Sequence, residues 1–393
     1  MNFVFISPHF PHTYWQFCDR LKRNGVNVLG IGDAPYDSLE GCLKEALTEY
    51  YRVDTLEDYD QVYRAVAFFA FRYGKISWIE SMNEYWLEQD ARLRTDFNIT
   101  TGIQADRIEN IKEKSRMKQI YLDAGIPTAR QHRVTDRAAG RKFVKKVGYP
   151  VIVKPDVGVG ATHTWKLEND RDLEAFYDAL PETPYVMEEF IEGEICSYDA
   201  ILDADCEPLF ESMTVWPPVM DIVNKDLDLM YYTCPDVPAS LSALGRRTVK
   251  AFGVDRRFVH LEFFRLTKGK PGLGEIGDFV ALEVNMRPAG GYTPDMMDFA
   301  HSTDVYQIYA DMVAFNATRV AQGPHYYCVY ASRKDGHSYV RTHDEIMARY
   351  GGEMVMQEEM PPMNWPQMGR YMYTARLKTF EDAQAVIQFV QGA

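Results

Sequence analysis

The run Val280–Ala289, VALEVNMRPA, constrains this chain more than any other segment. It sets Glu283, Asn285 and Arg287 at every second position among apolar residues, the period of a β-strand in which alternate side chains share a face. A carboxylate, a carboxamide and a guanidinium on one face are unfavourable to bury without a compensating metal or phosphate. The competing reading is a strand whose polar residues simply face solvent. Glu283 and Asn285 offer hard oxygen ligands suited to Mg²⁺, and Arg287 offers a planar fork for carboxylate or phosphate. Together they point to a Mg-nucleotide site.

Other segments support that reading. Val259–Leu266, VHLEFFRL, is a β-prone run that carries Glu262, and the Gly- and Lys-rich Lys268–Gly277 suits a hairpin between the two strands. Tyr149–Pro155, YPVIVKP, reads as a strand ending in Lys154, and DVGVGA follows it. Gly158 and Gly160 in that loop permit φ angles that other residues resist, so its backbone N–H groups could curl around phosphate oxygens. No segment reads GxxxxGK[ST], and the near match to GxGxxG at Gly30–Pro35 has Pro in place of the third Gly. A P-loop nucleotidase is thereby disfavoured, and a dinucleotide-binding dehydrogenase less strongly so. Pro184–Ile191, PYVMEEFI, is an apolar strand running into Glu188, Glu189, Phe190 and Ile191, with Glu194 just beyond. Backbone around Glu188–Ile191 suits a base edge and Glu194 suits ribose hydroxyls; an acidic edge strand and turn is the alternative.

The order Lys114, Lys154, GVGA, MEEFIEGE, HLEF and LEVNMRP resembles the ATP-grasp superfamily over roughly Ile111 to Thr293. That resemblance implies an α/β (α+β) ATP-grasp fold in which ATP lies between two antiparallel sheets. It implies that Lys114 and Lys154 contact phosphates and that the Gly158–Ala161 loop closes over them. Glu188, Glu189, Phe190 and Ile191 would line the adenine site, with Glu194 near the ribose. Glu262, Glu283 and Asn285 match metal-ligand positions for Mg²⁺ or Mn²⁺, and Arg287 matches the arginine that steadies an acyl-phosphate or its transition state. Lys118 is the alternative to Lys114, because both lie in one amphipathic segment.

A net charge of −14 with no basic stripe disfavours nucleic acid as a partner. The six cysteines show no C-x-x-C pair or zinc spacing, so free thiols are expected. No leader pattern opens the sequence and no apolar run is long enough to span a bilayer, so a cytoplasmic enzyme without a membrane partner is expected.

A chain of 393 residues has room for two or three domains. The strand Asn2–Ser7, helix Thr13–Arg23 and strand Val26–Ile31 read as the opening of a parallel sheet, continued by a helix at Tyr59–Tyr73 and a strand at Ile76–Ser81. The expected division is an N-terminal α/β domain over 1–109, a lid over 110–184, and a main ATP and metal unit over 185–393. The last of these closes with a strand at Gly369–Leu377 and a helix at Thr379–Val390. His9 and His12 could contact a ligand or serve structure. Met213–Tyr232 could line an acceptor pocket or form core plus loop.

The expected activity is ATP-dependent ligation of a small carboxylate to an amine through an acyl-phosphate. Phosphorylation of bicarbonate or carbamate and a non-catalytic ATP-binding regulator are the alternatives. The partners are then small molecules, and a homodimer is an assembly the resemblance allows.

Overall fold

The computed structural model describes residues 1–158, 163–218, 222 and 225–392. Three sheets organise it. Strands β1 (Asn2–Ile6), β2 (Asn27–Gly32), β3 (Glu49–Arg52) and β4 (Trp78–Glu80) form a parallel sheet in the order β3-β2-β1-β4. β1 is buried along its whole length, as a central parallel strand covered on both faces must be. The helix Tyr59–Tyr73 covers one face with Val62, Ala65, Val66 and Phe69, the spacing of one helical stripe. It starts at Asp58, whose carboxylate accepts from Asp60 N and Gln61 N, and stops at Gly74, whose φ of +83° other residues resist.

The second sheet is small and antiparallel. It comprises β5 (Gln131–Arg133), β6 (Val151–Pro155), β7 (Trp165–Leu167) and β8 (Tyr185–Glu189), in the order β5-β8-β6-β7. The expected boundary at 184/185 therefore falls one strand early, because β8 pairs with β5 and β6 and belongs to this sheet.

The third sheet has eight strands: β9 (Gly193–Leu202), β10 (Pro208–Trp216), β11 (Met230–Thr233), β12 (Arg257–Leu266), β13 (Phe279–Asn285), β14 (Tyr327–Arg333), β15 (Met354–Glu359) and β16 (Tyr371–Leu377). Their order is β13-β12-β9-β10-β11-β14-β16-β15, and every neighbouring pair in it is antiparallel. The closing strand and helix lie at Tyr371–Leu377 and Phe380–Gln391, with Thr379 capping the helix through Asp382 N.

Buried polar contacts help to join the sheets. The parallel sheet reaches the large one through Glu80, which pairs with Arg94 at 2.9 Å and with Arg257 at the start of β12, all three nearly fully buried. The segment leading into β5 reaches the large sheet through Thr128, whose hydroxyl donates to Ala281 O at 3.0 Å. All six cysteines are free thiols, and no helix among the described residues is long and apolar enough to cross a membrane.

Candidate active site

The register of β9, β12 and β13 builds an acid face. Glu262 stands opposite Glu283 and His260 opposite Asn285, while on the other side of β12 Ser197 stands opposite Glu262 and Asp199 opposite His260. Directly opposed residues share a face at close range. Glu262 and Glu283 keep side-chain exposures of 27% and 24%, so solvent or a ligand reaches them. Burial raises the Glu283 carboxyl above its ordinary range, and Glu262 across the ladder adds to this against the opposing pull of Lys114. Burial would also raise Glu262, but His260 and Arg287 outweigh it and hold that carboxyl low. His260 is pushed up to about 9: burial lowers it, and Asp199 at 2.7 Å with Glu262 at 3.4 Å more than compensates.

Facing these acids is a set of lysines. The helix Lys114–Asp123 places Lys114 and Lys118 one turn apart on one side. Lys114 Nζ lies 3.3 Å from Glu283 and donates to Gly158 O at 2.9 Å. Lys118 Nζ meets Glu188 at 3.0 Å and Thr128 Oγ1 at 2.8 Å, and Lys154 Nζ meets the other Glu188 oxygen at 2.8 Å. Burial lowers Lys118, offset only in part by Glu188. In Lys154 the same burial is overcome by Glu188, Glu283 and Glu262, which keep its ammonium above the ordinary value. Glu188, which burial alone would raise, is held far below its usual range by the two lysines. Asp156 ties this set together: it accepts from Ser115 N at 2.8 Å and Ser115 Oγ at 2.7 Å, and its carbonyl accepts from Lys114 N at 2.9 Å.

Arg287 sits just past β13. The strand ends at Asn285, short of the expected Val280–Ala289, and Pro288 lacks the N–H a ladder needs. The guanidinium nevertheless stays by the acid face, 3.5 Å from Asn285 Oδ1, and its Nε donates to Glu84 at 3.2 Å. Glu84 follows β4 and also holds Lys112 at 2.9 Å, so the parallel sheet contributes to the site from its strand ends.

The residues present fit a hard divalent cation. Two carboxylates face each other with a carboxamide beside them, all oxygen donors, and a cation between Glu262 and Glu283 would relieve their mutual repulsion. Among the described residues no three His, Cys, Asp or Glu side chains are arranged to hold a metal, so phosphate or water oxygens would have to complete the shell.

Comparison with known proteins bears on the fold that carries these residues. A family model described as ATP-grasp domain matches residues 117–217. The chain carries an ATP-grasp domain. A segment of 109 residues is 28% identical to the carbamoyl phosphate synthase large chain of Rubrobacter xylanophilus, covering 26% of this chain and only 10% of that one. The L-amino acid ligase of Bacillus licheniformis superposes over 99% of this chain and 96% of its own, with a TM-score of 0.71 at 16% identity. The biotin carboxylase of Campylobacter jejuni, in complex with an ATP analogue, covers 98% and 90% with a TM-score of 0.69 at 15% identity. These likenesses establish the ATP-grasp fold, with its N-terminal parallel sheet and large antiparallel sheet.

Within this ATP-grasp fold the residues chosen from sequence divide clearly. Lys114, Lys154, Glu262, Glu283, Asn285 and Arg287 come together, and Lys118 joins Lys114 instead of replacing it. Gly158 touches the site through its carbonyl, while Gly160 and Ala161 lie outside the described residues. The Glu188 carboxylate is turned to Lys118 and Lys154. Glu189 pairs with Arg130 at 2.5 Å, Phe190 O accepts from Lys270 at 2.9 Å, and Ile191 packs against Ala129, Leu266 and Val280. Glu194 is not brought to the acid face. It alternates with Ser197 and Asp199 along β9, so it points to the opposite side with Cys196, near Cys234 and Tyr232.

His9 pairs with Asp33 at 3.6 Å; His12 lies 3.9 Å from Glu358 and 3.5 Å from Tyr292 Oη, in the segment after Arg287. Of the Met213–Tyr232 run, Trp216 and Tyr231 stack at 4.7 Å on the site side; residues 219–221, 223 and 224 lie outside the described residues. Glu84, Asp156 and Asp199 were missed. Asp199 had a signal, the period-two pair Ser197 and Asp199 in an otherwise apolar strand. Glu84 had none, because only tertiary packing brings it to Arg287.

Proposed function

We propose that this protein is an ATP-dependent carboxylate–amine ligase. The observation that carries the reading is the 3.3 Å contact between Lys114 and Glu283, which joins a lysine-lined phosphate cradle to a paired-carboxylate metal face. The structural likeness to an L-amino acid ligase supports the same class.

In this reading a substrate carboxylate oxygen attacks the γ-phosphorus of ATP, the bond to the ADP oxygen breaks, and an acyl-phosphate forms. The amine nitrogen then attacks the acyl carbon, phosphate leaves with the C–O bond electrons, and the nitrogen gives up a proton to yield the amide. Lys114 and Lys154 neutralise phosphate charge as it shifts toward the leaving ADP. Arg287, braced by Glu84, holds the transferred phosphoryl group and the acyl oxygen. Glu262, Glu283 and Asn285 would hold Mg²⁺, which would supply positive charge to offset that of the phosphates. No nucleophilic side chain takes part, which fits thiols raised by burial, as at Cys196 and Cys328.

The test is ADP release from ATP and Mg²⁺ across amino acids and small acids, singly and in pairs, with Glu283→Gln as control. Release that needs both an acid and an amine, and that disappears in the variant, is the expected result. A second reading, phosphorylation of bicarbonate or carbamate, draws on the carbamoyl phosphate synthase match; release on bicarbonate alone would favour it. ATP binding with no release across the whole panel would count against both.

A further inference from the structure

One buried group on the acid face has no part in the chemistry above. His260 is 5% exposed, with Nδ1 2.7 Å from Asp199 Oδ1 and Nε2 3.4 Å from Glu262 Oε1. Carboxylates only accept, so this arrangement uses both ring nitrogens as donors. Asp199 is itself fully buried and fixed from its other side: Ser197 Oγ donates to Asp199 Oδ2 at 2.5 Å, and Trp216 Nε1 donates to Ser197 Oγ at 3.2 Å. Trp216 in turn stacks on Tyr231, which stacks on Tyr330 at 4.8 Å, and meets the His260 ring edge-on at 5.8 Å.

The chain Trp216, Ser197, Asp199, His260, Glu262 thus runs unbroken from a packed aromatic stack to a partly exposed carboxylate. Every member before Glu262 is immobilised by the next. Glu262, free to turn about its own side-chain torsions, has His260 as its ion-pair partner among the described residues.

We propose that His260 is a positioning residue. Anchored by Asp199, it fixes the Glu262 carboxylate in the orientation that lets it share a divalent cation with Glu283. This rests on the metal reading of those two glutamates. A bound cation pulls on a carboxylate that would otherwise have to be ordered at the moment of binding, and outer partners that hold ligands in place supply affinity for that reason. Without His260, Glu262 would face the repulsion of Glu283 with no fixed donor to oppose it.

The test is Mn²⁺ affinity, read from the electron paramagnetic resonance of the free ion with ADP present, alongside ADP affinity without metal and the thermal midpoint. His260→Leu is expected to weaken Mn²⁺ by about 10- to 100-fold. His260→Gln, which keeps one N–H donor, should recover part of that loss, and neither should change metal-free ADP binding. Asp199→Asn, a near-isosteric change one contact further out, should weaken Mn²⁺ severalfold and keeps the test open should His260→Leu not fold. Wild-type Mn²⁺ affinity in a folded His260→Leu or Asp199→Asn protein overturns the proposal, provided Glu283→Gln has lost the metal. A loss in the His260 variants matched by lost ADP binding, with no recovery in Gln, marks a packing role and also overturns it. If Glu283→Gln binds Mn²⁺ like the wild type, the metal reading itself fails, and the proposal with it.

Discussion

The two walls of the site handle buried charge in opposite ways. On the lysine wall, Glu188 is shared between Lys118 and Lys154, and its carboxyl is driven far below the ordinary range. On the acid wall, Glu262 and Glu283 face each other across a strand pair, and the Glu283 carboxyl is raised. The first wall is nearly complete in itself, whereas the second is under internal repulsion that a cation would remove. A ligand carrying both anionic phosphate and a divalent cation suits that asymmetry: the phosphates compete with Glu188 for the lysines, and the cation relieves the glutamates.

The largest effect that would break this contrast is at Glu283. Glu283→Gln is expected to lower ATP turnover by about a hundredfold or more, beyond the usual outer-shell loss, with the fold retained by circular dichroism. Turnover near wild type would remove the acid wall from the metal. Next come the lysines. Lys118→Met leaves Glu188 with Lys154 and the Gln131 amide and is expected to destabilise the protein by about 3 kcal/mol, the scale of breaking a buried pair. Lys154→Met should instead show mainly as a raised KM for ATP. Equal stability losses with equal KM values would erase the distinction drawn between them.

The pH response sharpens the comparison because the two walls have opposite signs. Glu188 has a depressed folded-state pKa, so its contribution is present above the ordinary carboxyl value near 4.5 and is lost as pH falls toward the folded value. Glu283 has a raised one, so the stability of its protonated form is present below that value and is lost as pH rises through the folded pKa. Thermal melts from about pH 7 to pH 4 should show Glu188→Gln losing the wild type's advantage most at the neutral end. Glu283→Gln should melt at or above the metal-free wild type there, and Mg²⁺ should raise the wild-type midpoint more than that of the variant. The smallest effect belongs to the exposed pair Arg141–Glu174 on the small domain's surface, 2.5 Å apart. Arg141→Ala is expected to leave the midpoint of a denaturant titration essentially unchanged, since solvent already screens that pair.

Much of the acid wall was legible because strand periodicity is local. Glu283 and Asn285 share a face by parity alone, and a hairpin through Lys268–Gly277 makes β12 the natural neighbour that brings Glu262. Parity also separates Glu194 from Ser197 and Asp199 along β9. The lysine wall was harder to read. Lys114 and Lys118 lie on one helix face and sequence offered them as alternatives, but both are recruited because Glu188 and Glu283 stand at different depths. That Glu188 would turn to lysines was hidden too, since it depends on β8 lying between β5 and β6 in a sheet whose strands are far apart in sequence. Glu84 and Arg287 meet across more than half the chain, and no window of sequence contains that contact.

Asp156 couples parts that would otherwise move separately. With Ser115 held by its carboxylate and Lys114 N by its carbonyl, the entrance to the glycine loop and the first turn of the lysine helix behave as one lever with few internal degrees of freedom. Gly158 rides on that lever, and Lys114 joins it to Glu283. A displacement of the loop entrance would therefore alter the Lys114–Glu283 contact on the opposite wall.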